Sequence, residues 1–385
     1  MPRRKCRNVD ITDKEFIKQR IIDCMKNKPR KAWKRRDVAS YWKSHGMSID
    51  SIVDELHNEL VTRTVHFPAP TLSVRTDRSN GKERTITIED IKEQYYDYIA
   101  HKGLDDLASM IGEYQIACVP GKGPLLGAKV MKGWLKDDSI RYAIKADLRH
   151  CYPSIKRKNM MNFLRRHVKN DTLLYLIDVL LSCAPEDGLP IGSYLSIRLC
   201  ALYLSQLYQH ISGSYFRRGK NTVKHVLLFL DDMFIFGTNA KQLHRAMRGI
   251  TRYADSIGLS IKDDWKMINL NPSDRHAHID AMGYRIYRDH LTMRRRDYLK
   301  TRKAFIHFGK VPDYKNAVSL AAYHGLFVKV TDSYRFRKKY RVKKLFRKAR
   351  EEISAHDKSN VFREAGAGHD LRADCHHDPV PDLCS

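Results

Sequence analysis

Asp231 and Asp232 stand side by side between two apolar runs, Val226–Leu230 (VLLFL) and Met233–Phe236 (MFIF). Adjacent carboxylates at a tight turn repel each other, and their hydration is costly to lose beside a hydrophobic core. The pair makes chemical sense if cations neutralise it. Mg²⁺ takes oxygen ligands and keeps waters that a phosphate substrate can replace, so acids presented on a turn between strands suit it. A plain surface turn could carry the same two residues, but flanks this apolar argue against one. A third acid, Asp147, closes the alternating segment Tyr142–Leu148 (YAIKADL), as a strand ending at a site would. Three acids around two metal ions about 4 Å apart suit phosphoryl transfer, where positioning and charge stabilisation outweigh covalent chemistry. In that arrangement Asp147 and Asp231 bridge the ions and Asp232 completes the cluster.

Stepping outward along the chain, residues 225–237 read as strand, turn, strand. Residues 71–89 read as a β-hairpin, with two β-prone runs flanking Ser79-Asn80-Gly81; Asn-Gly is a strong turn signal. A helix over 90–101 follows. Residues 157–182 read as one or two helices with Leu164, Leu173, Leu176, Leu180 and Leu181 on a buried face. Helices are also expected over 194–212 and 240–257, the latter closed by Gly258. Residues 281–296 suggest another short hairpin. Residues 1–66 and those beyond 297 read as helical and basic.

The 385 residues allow two or three packed subdomains, and the hydrophobic fraction of 42% fits a folded protein. The charge is unusual: 71 Lys and Arg face 44 Asp and Glu, a net of +27. Such a balance opposes compaction unless a polyanion neutralises it, and nucleic acid is the usual polyanion. No apolar run approaches the roughly 20 residues of a spanning helix, and the basic N-terminus lacks the apolar stretch of a secretory signal. The eight Cys are scattered without a CxxC pair; Cys118, Cys183 and Cys200 read as buried thiols in a reducing compartment. Cys375, His376, His377 and Cys384 match no zinc spacing. The charge run Lys26–Arg36 around Trp33 is either a solvated surface or an RNA contact.

In order, these pieces resemble the reverse transcriptase family. Asp147-x-x-x-x-Tyr152 resembles motif A, and Gly188–Ser196 (GLPIGSYLS) resembles motif B. Phe229-Leu230-Asp231-Asp232 resembles the motif C tetrad, with Phe where Tyr is usual. Gly258-Leu259-Ser260-Ile261 leading to Lys266 resembles motif D, Met282-Gly283-Tyr284 the motif E primer grip, and Gly81–Arg84 (GKER) the fingers hairpin. The resemblance covers about residues 70–300.

It implies an α+β right-hand polymerase: fingers, a palm of antiparallel sheet flanked by helices, and a helical thumb. It implies RNA-directed DNA synthesis from dNTPs by two-metal phosphoryl transfer, with two Mg²⁺ ions, for which Mn²⁺ can substitute. Asp147, Asp231 and Asp232 are the implied catalytic acids and metal ligands, with Leu148 among the metal contacts. Tyr152 is the implied steric gate against a ribose 2′-hydroxyl. Lys82 and Arg84 are implied to clamp the triphosphate, and Gly192 and Ser196 to line the templating base pair. Lys266 is implied to donate a proton to pyrophosphate. The basic stretch 334–350, with Arg337, Lys338, Lys339, Arg341, Lys343 and Lys344, fits a thumb on template–primer duplex; as a bare pattern it also fits a solvated or membrane-surface helix.

The expected division is a basic helical N-terminal extension (1–66), fingers and palm (67–295), a basic helical thumb (296–355) and a polar, mobile tail (356–385). The GLPIGSY–S block resembles compact prokaryotic enzymes, and no stretch reads as an RNase H, protease, integrase or endonuclease domain. The favoured reading is a phage-defence enzyme working with a cognate non-coding RNA, cytoplasmic in a prokaryotic cell or phage-encoded. Retron and diversity-generating retroelement enzymes are the alternatives, the latter departing at Ile197, where that lineage carries Gln. Expected partners are template RNA, a DNA or protein primer, dNTPs and an accessory protein or second copy, with no membrane. Two other classes compete: a non-catalytic RNA-binding protein on a polymerase scaffold, and an RNA-synthesising or untemplated nucleotidyltransferase, which Tyr152 opposes.

Overall fold

The computed structural model describes residues 4–28, 35–68, 70–76, 81, 83–117, 119–184, 187–215, 222–327, 330 and 333–365. Lys82, Ser79, Asn80, Cys118, most of the charge run around Trp33, and the Cys375–Cys384 cluster lie outside them. The chain divides into two units, Met1–Cys118 with Ile144–Met267, and Val119–Ala143 with Ile268–Ser385.

The first unit opens with α1 (Lys14–Lys26), α2 (Arg36–Ser44) and α3 (Ile49–Thr62). Asp13 and Ser48 cap α1 and α3 by accepting from the N–H groups of Phe16 and Ser51. Four-residue spacing puts Ile17 and Ile21 on one face of α1, and Ile52, Leu56 and Leu60 on one face of α3; all are buried. The hairpin β1 (Thr71–Thr76) and β2 (Glu83–Ile88) follows, then α4 (Ile91–Gly103), against which α1 and α2 pack. Lys92 on α4 bonds both Glu55 and Glu59 of α3, at 2.8 and 2.6 Å. Tyr41 and Tyr96 donate to the remaining oxygens of those carboxylates, so the half-buried charges are all answered.

After α5 (Pro124–Trp134) of the other unit come β3 (Tyr142–Asp147), the short α6 (Cys151–Ser154), α7 (Arg157–His167), α8 (Asp171–Ser182) and the long α9 (Tyr194–Tyr215). The five leucines expected on the buried face of 157–182 are all buried. Of the thiols, Cys200 is buried, whereas Cys183 ends α8 and is only half-buried. β4 (His225–Phe229) and β5 (Asp232–Gly237) pair antiparallel, and α10 (Ala240–Ser256) packs its apolar face on α9 and β5. With β6 (Lys266–Asn269) the sheet order is β4-β5-β3-β6. Helices packed on the sheet give the expected α+β architecture.

In the second unit, β7 (Ile279–Ala281), β8 (Tyr284–Ile286) and β9 (Leu291–Met293) form an antiparallel meander. The hairpin expected over 281–296 is therefore only its second half. Met282 and Gly283, both at positive φ, make the two-residue turn that joins β7 to β8. Arg288 fastens the meander to the chain after α5 by donating to the carbonyls of Leu135, Ile140 and Leu270. α11 (Arg295–Lys310), α12 (Tyr314–Phe327), α13 (Tyr334–Lys339) and α14 (Val342–Ala365) follow. Their core is aromatic, with Phe336 in ring contact with Phe305, Phe327 and Tyr340. The basic stretch 334–350 is not one helix: Tyr340 and Arg341 interrupt it, Arg341 at φ 46°. α14 also runs past residue 356, where a mobile tail was expected, to Ala365. No helix among the described residues is long and apolar enough to cross a membrane.

Candidate active site

β4 and β5 are apolar because they lie inside the unit: Val226, Leu227, Leu228, Met233, Phe234 and Ile235 are all buried. Their register pairs Phe229 with Asp232 and leaves Leu230 and Asp231 as the connecting turn. Leu230 sits at φ 51°. A branched side chain at positive φ stores strain that the surrounding sheet must hold, and such positions concentrate at functional sites.

β3 delivers Asp147 to this turn. The N–H of Leu148 donates to the carbonyl of Asp231 at 3.0 Å. On its other side β3 meets the chain after α10: Lys262 N–H donates to the Asp147 carbonyl at 2.9 Å, and Arg149 N–H to the Ser260 carbonyl at 2.7 Å. Leu148 and Ile261 form the antiparallel bridge between these bonds, so Lys262 falls opposite Asp147. The Lys262 ammonium contacts one Asp147 carboxylate oxygen. The other oxygen is buried and has no hydrogen-bond partner among the described residues.

Asp231 is exposed at the turn, yet enough protein surrounds it to shift its titration. Partial loss of hydration pushes its carboxyl up, and the charges of Asp147 and then Asp232 push it further the same way. Asp232 opens β5 half-buried. Among the described residues no three acidic, histidine or cysteine side chains converge as an ion-binding group; Lys262 supplies the positive charge at Asp147. The donors still fit a hard divalent cation: all are oxygens, one buried oxygen is unanswered, and the neighbouring carboxylates repel until a cation intervenes.

Around the acids, the motif A turn and the 188–192 loop are packed backbone to backbone. Leu189 N–H donates to the carbonyl of Tyr152 at 3.1 Å, and Tyr152 is half-buried. A Cβ on Gly188 would lie 2.5 Å from the Pro153 carbonyl oxygen. Gly192, exposed and at φ 118°, lies equally close to β2: a Cβ there would meet the Thr87 carbonyl at 2.5 Å. Thr87 N–H in turn donates to the Ile191 carbonyl at 2.8 Å. Arg84 shares its strand face with Ile86, whose side chain also approaches Gly192. Across the hairpin Arg84 faces Arg75, a like-charge pair that an anion would relieve.

Ser193 and Ser196 start α9. Ser196, buried, donates its N–H to the Ser193 hydroxyl at 3.1 Å. Asp97 of α4, 1% exposed, accepts from the Ser193 hydroxyl at 2.7 Å and from Leu195 N–H at 3.1 Å. A buried carboxylate thus caps the helix that begins in the GLPIGSYLS block. Glu89, just beyond β2, adjoins it. Burial raises both carboxyls, while the hydrogen bonds from Leu195 and Ser193 act oppositely on Asp97. Burial, then Asp97, then Asp90 push Glu93 up to about 8.

Sequence reasoning overlooked Asp97, Glu89, Glu93 and Lys262. Lys266 opens β6 and is exposed; the lysine that reaches Asp147 is Lys262, four residues earlier. In the second unit Met282 and Gly283 are half-buried in their turn, and Tyr284 is buried. Arg337, Lys338, Lys339, Arg341, Lys343 and Lys344 are exposed, Arg337 also bonding Ser333 and lying over Phe327.

A family model described as "Reverse transcriptase (RNA-dependent DNA polymerase)" matches residues 75–268, half of the chain. Similar solved structures include apo telomerase from Candida tropicalis truncated from its C-terminal domain, at 12% identity and TM-score 0.43, covering 64% of this chain and 60% of that one. Telomerase from Candida tropicalis in complex with a TWJ fragment of telomeric RNA aligns at 10% identity and TM-score 0.47, covering 83% of this chain and 59% of that one. The chain thus spans about three fifths of the length of these structures. No curated protein sequence matches.

Proposed function

The chain belongs to the reverse transcriptase family, and on that premise we propose that it extends a primer with dNTPs on an RNA template. One observation carries this reading: the Leu148–Asp231 hydrogen bond sets β3 against the β4–β5 turn, so that the charge of Asp147 acts on the Asp231 carboxyl. Asp147 and Asp231 would hold two Mg²⁺ ions, with Asp232 completing the set and Leu148 beside it. Such ions, when bound, supply Lewis-acid activation of the primer hydroxyl and neutralise charge on the leaving pyrophosphate.

The protein's own side chains do the rest. Arg84, with Lys82, would grip the triphosphate against the palm-facing side of the hairpin. Tyr152 would pack beneath the incoming sugar and exclude a 2′-hydroxyl. The Gly192 loop, held against β2, would leave room for the nascent base pair, with Ser196 behind it. Lys262 would hold Asp147 in place where no ion is bound; Lys266 is retained as the candidate proton donor to pyrophosphate. Met282, Gly283 and Tyr284 would steady the primer end, and the exposed cations of 337–344 the duplex. The template we propose is a cognate non-coding RNA in a cytoplasmic, prokaryotic or phage-encoded defence system. The GLPIGSY–S block, and Ile197 where diversity-generating enzymes carry Gln, support that choice.

The test is incorporation of labelled nucleotides on a defined RNA template with Mg²⁺. The expected result is template-complementary DNA, and a Tyr152→Ala protein that accepts NTPs far more readily. A wild-type protein that binds RNA but incorporates nothing under any divalent metal would leave the non-catalytic scaffold as the correct reading.

A further inference from the structure

α10 carries its charge on one side only. Lys241, Arg245, Arg248 and Arg252 recur at three- and four-residue spacing and are all exposed. At 3.6 residues per turn they fall within about 60° of one another and span about 16 Å. The buried residues Leu243, Ala246, Met247, Ile250 and Ala254 lie on the opposite side of the helix and pack on α9 and β5. The body of α10 therefore stands between the four cations and the sheet that carries Asp231 and Asp232. A chain bound along the cations would lie on the far side of α10 from the acids.

A basic face on a basic protein is ordinarily just hydrated. Two observations set this one apart. Lys14, Lys18 and Arg157 of the same unit are matched by acids, Asp54, Asp50 and Asp178 respectively. On α10 the four cations form no salt bridge among the described residues, and the helix holds a single carboxylate, Asp255 at its end. Secondly, an aromatic side chain borders the row. Trp265 is half-buried, and its ring meets His244 of α10 at 5.1 Å, tilted by 56°. Cations in line beside a partly open indole are what single-stranded nucleic acid requires, phosphates along the row and an unstacked base on the ring.

We propose that the outer face of α10, with Trp265 at its edge, is a second docking surface that binds single-stranded RNA away from the catalytic acids. The surface would hold a segment of the RNA other than the one being copied.

The test is binding of a short fluorescent oligouridylate by the full chain, by anisotropy across a salt series. The variant Lys241→Gln with Arg245→Gln, Arg248→Gln and Arg252→Gln should bind at least roughly tenfold more weakly. Its log affinity against log salt should lose about 3 from the slope, four phosphates at roughly 0.7 each. Arg245→Lys with Arg248→Lys and Arg252→Lys keeps the charges and should keep the slope. Trp265→Leu should weaken binding without changing the slope. Thermal melts of each variant separate lost binding from lost folding. An unchanged slope in the Gln variant overturns the proposal. So does RNA binding that survives while binding to anionic phospholipid vesicles is lost, since the face would then be a membrane contact. None of these readouts requires catalysis. Absence of primer extension by the wild-type protein would count against polymerase function and leave the binding result standing.

Discussion

The peptide N–H of Leu148 donates to the peptide carbonyl of Asp231 across 3.0 Å, so the residue after one acid is fastened to the backbone of the other. The spacing of the two carboxylates is therefore set by a strand register, not by flexible side chains. Sliding β3 by one residue would turn Asp147 to the other face of the sheet.

Asp147→Asn and Asp231→Asn should each reduce nucleotide incorporation by roughly 10³-fold, the scale of losing a preorganised charge-stabilising group. Because the Asp231 carboxyl is crowded by like charges, Asp231→Asn should melt no lower than wild type. Asp232→Asn should lose less activity than either. Single-turnover incorporation and thermal melts check all three, and near-wild-type turnover in Asp231→Asn would displace the site.

Lys262→Ala removes the cation that contacts Asp147. In chelator the variant should be less stable by about 1 kcal/mol, a typical figure for a partly exposed ion pair. Mg²⁺ should narrow that deficit by binding where the ammonium stood. Scanning fluorimetry with and without Mg²⁺ reads both; an equal deficit in the two buffers would show that Lys262 has no link to an ion site.

The α4 acids predict a pH dependence. Folded Glu93 holds its proton to about 8, against an ordinary value of 4.5. Between those values the folded state binds more protons than the unfolded chain, so stability falls as pH rises. Glu89 acts in the same direction. Below pH 4.5 the loss vanishes. Glu93→Gln should flatten the decline in melting temperature between about pH 5 and 8, and parallel curves for the two proteins would contradict the assignment.

Gly192→Ala places a Cβ 2.5 Å from the Thr87 carbonyl, at a φ of 118° that side chains rarely adopt. The cost should be roughly 1–3 kcal/mol in urea unfolding. Since the Gly192 loop touches the hairpin proposed to grip the nucleotide, KM for dNTP should rise by a larger factor than kcat falls.

Much of the frame was legible from pattern alone. Alternating residues ending in Asp147, two apolar runs flanking Asp231 and Asp232, and β-prone runs flanking Asn80-Gly81 each carry local information, and each element stands where that pattern puts it. The site's supporting residues were not legible, because their roles come from distant pairing. Lys262 meets Asp147 only through the Leu148–Ile261 bridge. Asp97 and Glu93 on α4, and Glu89 just before it, look like ordinary charges, and only tertiary packing, including that of α8 and α9 on α4, buries them. Strands of three residues, like β7, are too short for periodicity to show. The break at Arg341 has no glycine or proline to announce it.

The cap that Asp97 places on α9 has a consequence for any survey of inactivating substitutions. Residue 97 would score as intolerant as the proposed catalytic acids: Asn keeps the shape but surrenders the charge at a helix terminus, and Ala leaves Ser193 and Leu195 N–H unanswered. An activity screen alone would count a fourth catalytic carboxylate. The distinction lies in how the protein fails, since losses at Asp97 track the unfolding midpoint and losses at Asp147 and Asp231 do not.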